Sequence, residues 1–386
     1  MLQAQDIVIV GGGPVGMVLS LLLAKQNIAS TVLEARKLGA ANQDTRALAL
    51  SFGTRRILEK LGVWQSLAPH ATAINAIHVS QKGRIGRSIL HAQDYQQEAL
   101  GYVLSYGALC TALGAEIPKF PIIHLIDEAQ VEAITHDANH AQVQYSRHNE
   151  VSCFEAALAV LADGGRSLEQ VAGLKRDTKE YGHDALITKV RAELPHDNIA
   201  YERFTANGPM ALLPNGERDF SLVWTGEKAL IEPLLTLSDA EFLAQFHEQF
   251  GDRVGRFLSV EKRMTFPLRL SQLQASDTPH LVVIGNAAQT MHPVAGQGFN
   301  VGLRDAEVLA RYIGATTELG SSDMLAAYRV DRKTDTKNGL LFTDFLVNIF
   351  SNDILGVSAL RSAGLGIFDL VKPVKQHLVS KMSFGK

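Results

Sequence analysis

The 386-residue chain has only two cysteines, Cys110 and Cys153. They are far apart, and neither has a histidine at metal-ligand spacing, so neither a disulfide framework nor a zinc site is expected and a reducing cytoplasm fits. No apolar run reaches the roughly 18 residues of a membrane-spanning helix. A strand-like pattern begins within the first residues and leaves no room for a cleaved leader. Charge of one sign is missing too: 37 lysines and arginines stand against 40 aspartates and glutamates, a net charge of −3. That balance gathers no phosphate backbones, and nucleic acid is not an expected partner. There is no G-x-S-x-G, no H-E-x-x-H and no paired-carboxylate motif that stands out from a solvated face, so no catalytic triad is expected. Internal repeats and low-complexity linkers are absent as well. What remains is a chain with 46% hydrophobic and 20% charged residues, ordinary for a folded protein and long enough for about two domains.

The strongest local signal is at the start. Asp6–Val10 is a short β-branched apolar run that stops at Gly11-Gly12-Gly13, Val15–Ala24 reads as an apolar helix face, and Ser30–Leu33 is a second strand ending at Glu34. This is a βαβ unit of roughly 30 residues. Its turn, Gly11-Gly12-Gly13-Pro14-Val15-Gly16, matches G-x-G-x-x-G. Gly11 permits the tight turn, Gly13 lets backbone approach a pyrophosphate, and Gly16 lets helix and strand pack closely. The helix N-terminus offers N–H groups and partial positive charge to a diphosphate. Glu34, at a strand end, is placed to accept hydrogen bonds from an adenosine ribose, and its charge disfavours a 2′-phosphorylated ligand there. A glycine turn serving packing alone is the plainer alternative.

Two further strands, Ala156–Leu161 and Leu281–Ile284, end at Asp163-Gly164 and Gly285-Asn286. Strand ends of this kind suit a ligand crevice at the carboxyl edge of a parallel sheet. Around 71–105 and 176–278 the pattern changes to alternation with turn residues; Asn215-Gly216 between Met210–Leu213 and Phe220–Trp224 reads as a β-hairpin. After Gly285, the stiff then glycine-rich stretch His292-Pro293 to Gly298 leads into a helix expected from Phe299 to Ala310. Beyond Leu340, apolar residues recur at helical spacing from Leu341 to Phe350. They suit core packing, a partner subunit or a membrane surface.

Asp163-Gly164-Gly165-Arg166-Ser167 and the run from Gly285 to Asn300 resemble the two internal motifs of the single-component flavoprotein aromatic hydroxylases. Asp44 to Ser51, Arg203-Phe204 through Trp224, and Gly302-Leu303-Arg304-Asp305 narrow the resemblance to the hydroxylases of ubiquinone biosynthesis. Gly62 to Ala68 and His78-Val79-Ser80 look most like the branch acting on 2-polyprenyl-6-methoxyphenol. The resemblance covers nearly the whole chain to about residue 340.

It implies an α/β fold: a Rossmann-like FAD-binding domain with an inserted antiparallel-sheet substrate domain. The expected division is 1–70, 106–175 and 279–340 for FAD, 71–105 and 176–278 for the substrate domain, and 341–386 for a helical tail. FAD is the implied cofactor, with NAD(P)H a transient electron donor, since a second G-x-G-x-x-G is lacking. Implied FAD contacts are Gly11, Gly13, Pro14, Val15, Gly16, Glu34, Arg46, Asp163, Gly285, Asn286, Gly298, Phe299 and Asn300; Asp44 and Arg46 equally read as a local pair, and Asp163 as a turn cap. Asn286 stands where the related motif usually has aspartate. Family members often contact the cofactor with glutamine or arginine near a helix around Gly107–Leu113, where this chain offers Leu109, Cys110 and Thr111. No acid–base residue is implied, and His292 is expected to hold its loop. The flavin edge falls to Pro293, Gly296, Gln297 and Gly298. Phe204, Leu212, Leu213 and Trp224 are candidate substrate lining and equally candidate core. The implied partners are a hydrophobic phenolic quinone precursor and O₂, with other ubiquinone-biosynthesis proteins or the inner-membrane surface left open. Alternatives are hydroxylation of another aromatic substrate or ring position, an FAD oxidase, and a non-catalytic flavin-binding assembly protein.

Overall fold

In the computed structural model, residues 2–83, 87–171, 174–274, 278–290 and 297–333 are described. The chain opens with strand Leu2–Val10, helix Pro14–Ala24 and strand Ser30–Leu33. Leu2–Val10 lies inside a seven-stranded sheet and pairs in parallel with Ser30–Leu33 on one side and Glu150–Leu161 on the other. Ile123–Ile126 and Leu281–Val283 extend the parallel part. Ile7 and Ile9 pack into the cluster built with helices Pro14–Ala24, Tyr106–Glu116 and Gln297–Ala315, whereas Val8 and Val10 pack with Val131 and Val143 on the opposite face. Both faces are covered, which is why the strand reads as a continuous apolar run rather than an alternation. Each of these fully buried side chains stabilises the fold by about 1.5–3 kcal/mol.

Glu150–Leu161 is longer than the expected Ala156–Leu161. Its first half pairs antiparallel with Ala141–Arg147, and its last residues pair in parallel with Leu281–Val283. The ends of the central strands are level: Gly11 N donates to Leu33 O at 2.8 Å, Ala162 N to Val10 O at 2.8 Å and Ile284 N to Leu161 O at 2.9 Å. Glu34, Gly11, Asp163 and Gly285 therefore leave one edge of one sheet, the place where open parallel sheets bind ligands.

The second body of strands is a nine-stranded sheet ordered Gln289–Thr290, Met264–Leu273, Arg176–Ala192, Asp219–Glu227, Gly208–Pro214, Ile199–Thr205, Ala76–Gln81, Arg87–His91, with Phe257–Val260 also pairing Arg176–Ala192. It is antiparallel except where Ile199–Thr205 runs parallel to Ala76–Gln81. The expected hairpin is there, pairing Met210 with Trp224. Helix Asp239–Phe250, held at its start by a Ser238–Glu241 capping box, lays Phe242, Phe246 and Phe250 over one face of this sheet. A small sheet of Ala47–Ser51, Gly101–Ser105 and Thr72–Ile74 lies against the other face, where Ala47, Ile74 and Val103 cluster with Ile77, Ala200 and Leu213.

That arrangement corrects part of the expected substrate lining. Trp224, like Leu212, Phe220 and Leu222, lies in the core under helix Asp239–Phe250, against Phe242 and Phe246. Phe204 is 2% exposed and sealed inside. Leu213 alone of the four candidates is partly exposed, on the face away from the helix. Among the described residues no helix is long and apolar enough to cross a membrane. The expected flavin-edge residues Pro293 and Gly296, His292, and the whole tail 341–386 lie outside the described residues.

Candidate active site

The glycine turn is shaped by three different close approaches. At Gly11, φ is +109°, and an added Cβ would lie 2.6 Å from the Asp163 backbone. At Gly16 an added Cβ would lie 2.0 Å from the Gly11 carbonyl oxygen, which is the helix-on-strand contact the motif requires. At Gly12, whose role the motif leaves open, an added Cβ would lie 2.8 Å from the Glu34 side chain. Gly13 differs: its φ is −72°, and a Cβ there would meet only the Tyr106 hydroxyl, at an ordinary 3.6 Å. Nothing among the described residues demands glycine at 13, so the requirement points outward, to a ligand. Helix Pro14–Ala24 supports that reading, since Gly13 caps it without a side chain and its first turn carries no acidic residue. Its leading N–H groups are thus available to an anion, and Pro14 at the first position costs nothing because that N–H has no helical partner.

Glu34 is fixed before any ligand arrives. Its Oε2 accepts from Gly12 N at 2.8 Å, and its Oε1 accepts from Arg36 N at 3.1 Å and Arg36 Nε at 3.0 Å. A carboxylate has about four acceptor sites, so roughly one remains for a ribose hydroxyl. Tyr106 sits alongside. Sequence reasoning passed over it because the family position to fill was glutamine or arginine. At Gly107 an added Cβ would lie 2.2 Å from the Asn42 carbonyl oxygen, which bars a side chain there. Burial pushes the Tyr106 phenol up to about 12 and the Cys110 thiol to about 11, so both stay neutral at pH 7.

Arg46 makes the local pair that the sequence left open. Its Nε lies 3.0 Å from both Asp44 carboxylate oxygens, and its guanidinium stacks 5.3 Å from the centre of the Tyr106 ring. The hydrogen bond from Arg46 draws the Asp44 carboxyl below its usual range. Arg46 therefore stands one residue away from the Gly13 turn. Asp163 likewise caps its own turn, accepting from Gly165 N at 2.8 Å and Ser167 N at 2.7 Å.

The Gly285 turn is held from behind. Gly285 N donates to Asp305 Oδ2 at 3.0 Å, and Asp305 Oδ1 accepts from Arg332 Nε at 2.6 Å in a pair whose side chains are 4% and 9% exposed. Val15 packs where side chains at Gly285 and Gly302 would otherwise stand. Arg176 Nη2 donates to the carbonyls of Asn286 and Ala287 at 3.0 and 2.8 Å, and Asn286 itself is exposed. Helix Gln297–Ala315 begins two residues earlier than expected. Its Gly298 and Phe299 are partly exposed, while Asn300 is turned to the protein: its Oδ1 accepts from Ser51 N and Thr54 Oγ1, each at 2.8 Å, and its Nδ2 donates to Ala49 O at 2.9 Å. Asn300 thereby ties the start of the helix to strand Ala47–Ser51, a clamp that spacing alone does not reveal.

A glycine turn with an uncapped helix start and a carboxylate at the neighbouring strand end fit FAD, and together with the relatives below they make the chain an FAD-dependent monooxygenase of the aromatic-hydroxylase type. The chain belongs to the FAD binding domain family, whose profile matches residues 4–340. Along its length it is 34% identical to the ubiquinone hydroxylase UbiL of Rhodospirillum rubrum, covering 99% of this chain and 91% of that one. It is 28% identical to the 3-demethoxyubiquinol 3-hydroxylase of Escherichia coli, covering 94% of each. The crystal structure of p-nitrophenol 4-monooxygenase PnpA from Pseudomonas putida superposes with a TM-score of 0.80 over 99% of both chains at 19% identity, a likeness of fold.

Proposed function

We propose that this protein hydroxylates the aromatic ring of a polyprenyl methoxyphenol in ubiquinone biosynthesis, with NAD(P)H as transient donor and O₂ as co-substrate. The observation that carries this reading is the end-to-end similarity to a ubiquinone hydroxylase, 34% identical over 99% of the chain. When bound, FAD supplies the chemistry that activates O₂ and passes one oxygen atom to an electron-rich ring. The chain's part is to bind, orient and exclude water.

In this reading the N–H groups at the start of helix Pro14–Ala24 hold the diphosphate, with Gly13 giving it room. Glu34 accepts a ribose hydroxyl. Gly285, Asn286, Gly298 and Phe299 line the flavin, with the Asp305–Arg332 pair and the Asn300 clamp keeping their backbone in place. The segments 1–70, 106–175 and 279–340 form the FAD-binding domain, and 71–105 and 176–278 form the domain whose sheet faces the substrate. A prenylated phenol resides in lipid, so the protein works at a membrane surface or beside other proteins that handle the same substrate. The test compares kcat/KM for NAD(P)H oxidation coupled to product with a short-prenyl methoxyphenol and with p-nitrophenol. Preference for the prenylated phenol by about tenfold or more, the worth of a few buried methylenes, supports the proposal. Preference for the nitrophenol moves the substrate class elsewhere.

A further inference from the structure

The two faces of the nine-stranded sheet are chemically different. Under helix Asp239–Phe250, Tyr201 packs on Phe250, and Arg203 Nε donates to Gln249 O at 3.1 Å. Glu202, between them, points to the opposite face by the alternation of a strand. Strand register places it in one row across the sheet: Val79, Glu202, Ala211, Val223, Ile187 and Met264 are successive cross-strand partners. All six are partly exposed, five are apolar, and Glu202 is the one charged member. In the next row of the same face, Ile77, Ala200 and Leu213 pack on Ala47 and Val103 of the small sheet. Strand Ala47–Ser51 of that sheet is the one clamped by Asn300 at the start of helix Gln297–Ala315. The Glu202 row thus lies on the side of the sheet that meets the flavin-binding half of the molecule.

An apolar floor with one placed polar group is the usual make-up of a site for a small aromatic ligand. Among the described residues no donor meets the Glu202 carboxyl, and burial alone pushes it up to about 8. A carboxyl without a partner in such a place destabilises the fold relative to an apolar residue.

Building on the hydroxylase reading above, we propose that Glu202 contacts the substrate directly: its carboxylate accepts the hydrogen bond of the ring hydroxyl and takes that proton as the ring is hydroxylated. In this step the phenol O–H bond breaks with its electron pair left on oxygen, an O–H bond forms on the carboxylate, and no electrons are transferred. When the product regains aromaticity the ring C–H bond breaks, its electron pair returning to the ring and its proton leaving in the water formed from the second oxygen atom, and the carboxyl returns its own proton to the ring oxygen. An ionised ring is the more nucleophilic partner for oxygen transfer. A phenol ordinarily titrates near 10, about two units above Glu202, close enough for the proton to move both ways and near the pH at which a general base works best. The flanking strands present Val79, Ile77 and Gln81 on one side and Ala211, Pro209 and Leu213 on the other, none of them titratable.

The test uses the full-length, FAD-loaded protein as wild type, Glu202→Gln and Glu202→Asp. Binding of 2-methoxyphenol is followed by flavin absorbance from about pH 6 to 9.5, and turnover of a short-prenyl methoxyphenol by product formed. For wild type, Kd should show a break near about 8 that Glu202→Gln lacks. In turnover, Glu202→Gln should lower kcat roughly 100-fold with KM changed less than about threefold, and Glu202→Asp should recover part of the rate. A break that survives in Glu202→Gln, or a wild-type Kd without one, overturns the contact. A wild type that keeps the break yet forms no hydroxylated product upholds the contact and overturns the hydroxylase reading on which the base role rests. Should Glu202→Gln fail to load FAD, Glu202→Asp decides: a displaced break supports the contact and an unchanged one overturns it.

Discussion

Alanine at Gly13 and alanine at Gly16 should separate cofactor binding from folding, although the two glycines belong to one turn. At Gly13 the backbone already has φ of −72°, and a methyl group would touch only the Tyr106 hydroxyl at 3.6 Å. Alanine caps a helix somewhat worse than glycine, and this is offset by about 0.4–1 kcal/mol of lost chain entropy in the unfolded state. The ligand-free protein should therefore melt within about 2 °C of wild type. FAD should suffer instead, because the methyl group stands where backbone approaches the diphosphate. Losing one hydrogen bond to a charged group costs about 1.5–3 kcal/mol, a rise in Kd of about 10- to 150-fold. At Gly16 the methyl group would lie 2.0 Å from a backbone oxygen. Helix and strand must move apart, at about 1–3 kcal/mol or more, and the ligand-free protein should melt about 2–4 °C lower per kcal/mol. Fluorescence titration with FAD and thermal melts of the stripped protein measure both. If Gly13→Ala binds FAD as wild type does, the diphosphate is not at this turn.

On the proposed ribose contact, and because its Oε2 also accepts from Gly12 N, Glu34→Ala should raise the FAD Kd by about 10- to 150-fold; unchanged affinity on titration would remove Glu34 from the site. Arg332→Ala leaves Asp305 buried without its cation and should cost about 3–5 kcal/mol in a denaturant titration. A loss below about 1 kcal/mol would show that the pair does not hold the Gly285 turn. Gly298→Trp should keep some FAD while diverting NAD(P)H oxidation into hydrogen peroxide, because a crowded flavin edge admits water; tight coupling of product to NAD(P)H in this variant would place Gly298 away from the reacting ring.

What could be read from sequence was what short range determines. The turn from Gly11 to Gly16, strand Ser30–Leu33 and Glu34 follow from spacing within one βαβ unit, and the structure places them accordingly. Contacts between separate stretches of the chain were not legible. Asn300 to Ser51, Asp305 to Gly285 across the turn, and the row from Val79 to Met264 depend on how separate stretches pair. Trp224 shows the limit of period-two patterning: alternation says that Leu222 and Trp224 share a face, but the helix that buries that face is encoded elsewhere, at Asp239–Phe250. Glu202 was invisible for a related reason. Its neighbour in the row, Val79, lies 123 residues away in the chain, and that pairing is not written in local spacing.

The most direct measurement supplies a short-prenyl methoxyphenol and NAD(P)H to the FAD-loaded protein under isotopically labelled dioxygen and weighs the product. One labelled oxygen atom per hydroxylation is predicted. Label arriving from water, or substrate oxidised with no oxygen gained, would contradict monooxygenation and make the protein an oxidase.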